Sequence, residues 1–584
     1  MPDSSAAKSF AAPSETGTSQ GGPRLLIVGL DGGTFDLIEP WVKEGKLPTF
    51  ARLMREGGYD HLFSTIPPVT PPAWTSFMTG LNPGKHGLFD FLEPRSDRYG
   101  MQYTNGRSRK AKSLFRLLSD AGIRVGVMNV PMTYPPEEVN GFLISGMDTP
   151  DENCDFTYPS SLKEDLRQAV GGLQVDIRHL GHMRSDAARD ATLNDLLELE
   201  AQRTRAALYL MERYPTDVMM VVFNATDQVQ HHFWHYYDPR HPQYDPEGAK
   251  KYGGAMLRIY RKVDESLSLL LAKLPASSAV VMVSDHGAGA AAPNYLYLNR
   301  YLQQLGLLKM AETRPSLRSL AMEKADLLLR GLLTPKQKLR LSKMLPKLRE
   351  RWESYLSFGA VEWGETKAYA FENAAAAPNV WINVQGKRPN GIVSPGKEYD
   401  DLIALIREKL MALSDPLTGR PLMRQVFHKS EIYSGPHLDA APDLILDWWS
   451  DPSFVVHQSF PCRRDDPVVV RKEKTLAGGV EWSGTHRSNG VMLFSGPGFR
   501  RGGKIGPAQI TDMAPTLLYY LGLPVPEYME GQVITAAFEE AYLAAHPVTY
   551  QKGVEDQVQM AGQYTEEEAE KIRQRLAGLG YLEE

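Results

Sequence analysis

The chain is 584 residues long and carries 70 acidic and 65 basic residues, a formal charge of -5. That balance excludes a protein held to nucleic acid by general electrostatic attraction, and the 42% hydrophobic and 23% charged fractions exclude a mostly disordered or fibrous chain. Only Cys154 and Cys462 occur, so neither a disulfide framework nor a cysteine-rich zinc site can be built, which fits a reducing cytoplasm.

One hydrophobic core does not usually organise a chain of this length, so a large catalytic domain with an insertion or second lobe is expected. Residues 1–23 are rich in Ser, Ala, Gly and Pro and lack the basic start and apolar core of a signal peptide; they read as a disordered tail. Arg24 to Asp31 is a short apolar run ending in a carboxylate. That is the pattern of a strand buried on both faces with a functional residue at its C-terminal end. Similar runs recur at Ile123–Val130, Val218–Phe223, Ala279–Val283 and Val491–Phe494, with helical patterns such as Ser113–Ala121 and Leu193–Met211 between them. The alternation predicts an α/β sandwich with a largely parallel central sheet flanked by helices, whose ligands collect outside the carboxyl ends of the strands. No run approaches the roughly 20 apolar residues that cross a bilayer, so no transmembrane segment is expected.

Two stretches interrupt the alternation. Lys309 to Arg351 holds 12 Lys/Arg against 4 Asp/Glu among many leucines and reads as a basic helical insertion over 309–366. It is either a lobe with a solvated basic face or a lid that meets an anionic surface. Residues 367–449 combine the strand-like Asn379–Asn383 with a helix carrying Leu402, Ile406, Leu410 and Leu413 on one face, a small α+β cap. The catalytic domain is thus expected over 24–308 and 450–545, with 546–584 a helical extension. In that extension Thr565–Ala577 is assigned to packing, with the following glycines suited to a helix C-terminus.

Divalent cations that stabilise phosphoryl oxygens need rigid carboxylates and imidazoles drawn from several strands. Asp227 and His231 are four apart and share one face if a helix starts after the preceding strand. Asp285 and His286 add a carboxylate and an imidazole at another strand end. Taken singly, an Asp at a strand end also serves as a helix cap, and the run His231, His232, His235 also suits packing. In Val69–Gly87, the proline after Thr70 fits a hydroxyl near a helix N-terminus, where the backbone dipole favours phosphate. By chemistry alone Thr75, Ser76 and Thr79 are rival hydroxyls, and Thr70 also suits an N-cap.

Leu30-Asp31-Gly32, Thr70-Pro71 through Thr79-Gly80-Leu81 to His86-Gly87, Asp227 with His231, Ser284-Asp285-His286-Gly287 and Gly484-Thr485-His486 occur in an order that resembles the alkaline phosphatase superfamily. The pattern is similar to its type I phosphodiesterase and nucleotide pyrophosphatase branch, including bacterial predicted phosphohydrolase or phosphomutase members. It covers Arg24 to about Gly531, with Asp512–Leu518 and Leu521–Pro524 resembling the end of that fold. The resemblance implies two divalent ions, zinc or alternatively manganese. Asp227, His231 and His486 would surround one, and Asp31, Asp285, His286 and the Thr70 hydroxyl the other. It implies a phosphoric ester hydrolase in which Thr70 is the covalent nucleophile and forms a phosphothreonine. One position departs from the pattern: Phe91 stands where these enzymes carry a phosphate-holding Asn, which leaves a backbone N–H, Asn224 or Lys85 to bind substrate. A small phosphorylated substrate is the expected partner, and a homo-oligomer is left open. The alternatives are a phosphomutase or phosphotransferase on the same framework and a non-catalytic protein that retains the metals.

Overall fold

The computed structural model describes residues 22–95, 99–177, 183, 185–310, 361–372, 377–451, 453–457, 459, 465–472, 482–553 and 563–578. Nearly all of the expected tail and of the basic insertion lies outside the described residues.

The apolar runs become strands of one nine-stranded sheet. In chain order these are β1 (Leu25–Leu30), β2 (Gly58–Phe63), β3 (Val125–Val130), β4 (Gly141–Ser145), β5 (Thr157–Tyr158), β6 (Val218–Phe223), β7 (Ala279–Val283), β8 (Asn489–Ser495) and β9 (Ala508–Gln509). They lie in the order β9-β2-β8-β7-β1-β6-β3-β4-β5. Strands β7, β1, β6, β3 and β4 form a continuous parallel block, and only β8 and β5 run against the rest.

Successive side chains of a strand point to opposite faces, so an uninterrupted apolar strand needs cover on both. Leu26, Val28, Leu30, Met219, Val221 and Phe223 enter one core, and Leu25, Ile27, Val218, Met220 and Val222 enter the other. The second core is completed by α1 (Thr70–Thr79) through Trp74, Phe77 and Met78. The first is completed by α2 (Asp186–Arg213), α3 (Ala225–Tyr237) and α4 (Ala255–Leu271), through residues such as Leu196, Val229 and Ile259. Helix α5 (Met513–Tyr520) adds Leu517 and Leu518 to the second core.

The register sets the position of the site. Leu30 pairs with Phe223 and Gly29 with Val283, so β1, β6 and β7 end level with one another. Strand β8 runs the other way and begins at that same edge, Met492 opposite Val283. The residues just before β8 therefore meet those just after β1, β6 and β7, and a short antiparallel ribbon of Gly287–Ala290 with Gly484–Arg487 locks them together.

Over this edge sits a four-stranded sheet of Ala368–Tyr369, Asn379–Ile382, Leu444–Leu446 and Val426–His428. The helix Lys397–Met411 buries Leu402, Ile406 and Leu410 beneath it. A last helix, α6 (Glu566–Gly578), returns to the main body, with Ile572 and Leu576 in the first core. Among the described residues no helix is long and apolar enough to cross a membrane.

Candidate active site

Each candidate ligand arises at a strand end. Asp31 follows β1; Asn224 follows β6 and opens α3, which carries Asp227 in its first turn and His231 one turn on. Asp285 and His286 follow β7, and His486 lies in the ribbon that leads into β8. Two glycines let these segments close up. Gly32 has a φ of +64°, and a Cβ there would stand 2.8 Å from Asp227 Oδ1; a Cβ on Gly484 would stand 2.2 Å from the Gln230 carbonyl oxygen.

All seven sequence-predicted ligands are buried and mutually close. Thr70 Oγ1 is 3.3 Å from His286 Nε2, which is 3.3 Å from Asp285 Oδ2 and 3.7 Å from Asp31 Oδ1. His231 Nε2 is 3.2 Å from Asp227 Oδ2 and 3.0 Å from His486 Nε2. His486 Nε2 is 3.6 Å from Asp227 Oδ1. Asp227, His286 and His486 offer atoms within 4.8 Å of one another, and so do Asp31, Asp285 and His286. The two groupings overlap at His286, which sits between them.

The imidazole tautomers follow from the backbone. Nδ1 of His231 meets the Gly484 carbonyl at 2.9 Å, Nδ1 of His286 the Gly287 carbonyl at 3.0 Å, and Nδ1 of His486 the Pro68 carbonyl at 2.8 Å. A carbonyl only accepts, so each Nδ1 carries a proton, and each Nε2 is turned to the centre, where it offers a lone pair whenever the ring is neutral. Burial and the neighbouring His286 push the His486 pKa well below the ordinary range, keeping that ring neutral.

The carboxylates respond to the same environment. Burial, with Asp285 and Asp227 nearby, raises the Asp31 pKa well above the usual range, and burial raises Asp285 to about 6. Burial also opposes ionisation of Asp227, but His231 beside it, with Nε2 3.2 Å from Oδ2, holds its carboxyl below that range. Asp31 Oδ1 and Asp285 Oδ2 are buried and accept no hydrogen bond among the described residues. Converging neutral imidazole lone pairs, crowded carboxylates and orphaned oxygens are a donor set that fits divalent cations of the zinc or manganese kind.

The rival hydroxyls are engaged elsewhere. Thr75 Oγ1 donates to the Pro71 carbonyl at 2.7 Å, Thr79 Oγ1 to the Thr75 carbonyl at 2.7 Å, and Ser76 Oγ meets His86 Nε2 at 3.0 Å. Thr70 stands at the first position of α1 after Val69, and its hydroxyl faces the centre. His235 is set apart, packed on Tyr236 with ring centroids 3.8 Å apart.

The two substrate-binding candidates have different surroundings. Lys85 pairs with Glu530 at 3.2 Å and reaches the Tyr528 carbonyl at 3.4 Å. Asn224 Oδ1 accepts from Arg203 Nη1, which also meets Glu200 Oε1 at 3.0 Å. Glu200 in turn accepts the Ala225 N–H at 2.7 Å, standing in for the missing side-chain cap of α3. Glu200 and Arg203 were not singled out in the sequence, although both fall on the apolar stripe Leu193, Leu196, Leu199, Ala206, Leu210 of α2. A charged pair on such a stripe is the signal that marks them.

The sequence matches the type I phosphodiesterase / nucleotide pyrophosphatase family over residues 25–478. The chain belongs to that family. It is a phosphoric ester hydrolase, as the motif order implied. A search of curated proteins finds no match. Among solved structures, murine ectonucleotide pyrophosphatase / phosphodiesterase 5 is similar at 14% identity, covering 86% of this chain and 95% of that one, with a TM-score of 0.43. Phosphonoacetate hydrolase from Sinorhizobium meliloti 1021, in complex with phosphonoformate, is similar at 16% identity, covering 84% of this chain and 94% of that one, with a TM-score of 0.47.

A wider cavity of about 390 Å³ lies between the main body and the cap, lined by Phe89, Asp90, Trp381, Arg388, Lys429 and Asp443 among others. None of the seven candidate ligands lines it.

Proposed function

We propose that this hydrolase cleaves a phosphodiester or phosphomonoester through a phosphothreonine at Thr70. In this reading it depends on two divalent cations, zinc or manganese, held by Asp31, Asp227, His231, Asp285, His286 and His486 with the Thr70 hydroxyl. The observation that carries the reading is the trio of imidazoles whose Nδ1 atoms are fixed on backbone carbonyls, with a threonine oxygen 3.3 Å from one of their Nε2 atoms. When bound, the cations supply positive charge to phosphoryl oxygens and acidify an oxygen nucleophile.

Thr70 Oγ1 attacks phosphorus, its O–P bond forming as the ester P–O bond opposite breaks and the alcohol departs. Water then cleaves the phosphothreonine and restores the hydroxyl. The helix N-terminus gives less help than its dipole suggests. Pro71 and Pro72 lack N–H groups, which leaves only the Thr70 N–H of the first three helical positions as a donor. Asn224 fills the gap left by Phe91: Arg203 holds its Oδ1 and turns its Nδ2 away from the guanidinium, available to a phosphoryl oxygen. Lys85, tied to Glu530, takes no part. The small number of cysteines supports a cytoplasmic setting for this work.

The test is turnover of bis-p-nitrophenyl phosphate and p-nitrophenyl phosphate by the metal-loaded protein, with mass spectrometry of the Thr70 peptide after rapid quench. A phosphoryl adduct on Thr70 and loss of turnover in Thr70→Ala are expected. Unchanged turnover in Thr70→Ala overturns the nucleophile.

A further inference from the structure

Thr70 shares a small niche with the far end of the chain. The niche has a volume of about 20 Å³ and is lined by Thr70, Phe91, Met132, Met147, Tyr564, Ile572 and Leu576 among others. Its remaining polar groups are engaged. Asp148 accepts the Met132 N–H at 3.0 Å, the Thr133 N–H at 3.4 Å and the Tyr134 N–H at 2.6 Å, and Thr104 Oγ1 donates to the Asp90 carbonyl at 2.8 Å. The flank of the threonine is therefore apolar and has room for one small group.

Helix α6 forms the outer wall of this niche and is fastened there by polar contacts. Tyr134 Oη donates to Glu568 Oε1 at 2.6 Å, and Lys571 meets Asp151 at 3.0 Å. Arg575 Nη1 donates to the Thr149 carbonyl, and Tyr564 Oη to the Asp148 carbonyl. The helix lies beyond residue 478, where the match to the family ends.

An attack by Thr70 Oγ1 expels the alcohol on the opposite side of phosphorus. The other ester group of a diester stays bonded and leaves phosphorus sideways, along the flank of the threonine. A charged oxygen placed there would lose its water without gaining a partner, whereas a short alkyl group would bury apolar surface. We propose that this niche receives the retained ester group of a phosphodiester, and that Ile572 and Leu576 limit that group to a short, uncharged, apolar chain. The inference rests on Thr70 being the nucleophile.

The test compares kcat/KM of the metal-loaded full chain on substrates that share p-nitrophenolate as leaving group: methyl, phenyl and thymidine 5′ p-nitrophenyl phosphodiesters, and p-nitrophenyl phosphate. The methyl diester is expected to exceed each of the others at least tenfold. Leu576→Ala is expected to raise the phenyl-to-methyl ratio at least fivefold, and the milder Ile572→Val to move it the same way if Leu576→Ala does not fold. A wild-type protein that handles the phenyl or thymidine diester as well as the methyl one, or prefers the monoester, overturns the proposal, as does a ratio unmoved in folded variants. Turnover that survives Thr70→Ala brings down the nucleophile and this proposal together. Thr70-dependent turnover with an unmoved ratio brings down this proposal alone.

Discussion

His231 and His486 face each other through Nε2 atoms 3.0 Å apart, while their Nδ1 atoms donate to the carbonyls of Gly484 and Pro68. Two lone pairs so placed repel unless a positive charge lies near both, and Asp227 beside them supplies an anionic oxygen to the same point. Their backbone anchors come from segments about 400 residues apart in sequence, at Pro68 and Gly484.

Cation removal should therefore loosen the fold as well as stop turnover. Ligand at a thousandfold excess over its Kd stabilises by about 4 kcal/mol, so chelation should lower Tm by several degrees, reversed by zinc or manganese. His486→Ala should lose about one equivalent of metal by elemental analysis. A Tm indifferent to chelator and metal would contradict the centre.

Thr70→Ala should lower kcat by roughly 10³-fold or more, as removal of a covalent nucleophile does in other hydrolases. Metal content should stay at the wild-type level, because the six side chains of Asp31, Asp227, His231, Asp285, His286 and His486 remain. Thr70→Ser keeps a hydroxyl at the same position and should retain measurable turnover, with the phosphoryl adduct now on the introduced serine oxygen. Quenched-flow mass spectrometry reads this directly, and an active Thr70→Ser protein that never carries the adduct would contradict the assignment.

Glu200 and Arg203 are both wholly buried and paired at 3.0 Å. Breaking such a pair from one side leaves an uncompensated charge, so Arg203→Met should cost about 3 kcal/mol or more in denaturant unfolding. Because Glu200 also caps α3 at Ala225, the same change should weaken metal binding through Asp227, seen as a lower metal content at limiting zinc. Loss of stability without any change in metal binding would show that the pair does not position α3.

Asp90 ties the main body to the cap by accepting the Ala377 N–H at 2.7 Å, yet burial raises its pKa from 3.8 to about 7. The folded chain keeps this proton while the unfolded chain releases it. The group's contribution to stability is thus full below pH 3.8 and is lost as pH rises through about 7. Unfolding free energy should fall across that window by at most about 1.4 kcal/mol per pH unit from this group. In Asp90→Asn that part of the slope should vanish, and equal slopes in wild type and variant would rule it out.

Much of the main sheet was legible because buried strands leave compact apolar runs. Val218–Phe223 and Ala279–Val283 coincide with β6 and β7, and the candidate ligands sit just beyond such runs. The direction of β8 was not legible, since an apolar run such as Val491–Phe494 reads the same either way; pairing with β2 and β7 decides it. The anchors of the imidazoles are backbone carbonyls, which no side-chain pattern reports. The helix at Thr565–Ala577 was assigned to packing from its composition. Only the folded chain reveals that its Ile572 and Leu576 line the same niche as Thr70.

Strand β8 lies in the interior of the sheet, between β2 and β7, yet its residues are made after more than four-fifths of the chain. During synthesis β2 and β7 cannot take up their final pairing with β8 until then, and His486, in the ribbon that leads into β8, cannot reach its place earlier. If His486 acts as proposed, a truncated or newly emerging chain would be inert, and hydrolytic capacity would appear late and together with the finished core.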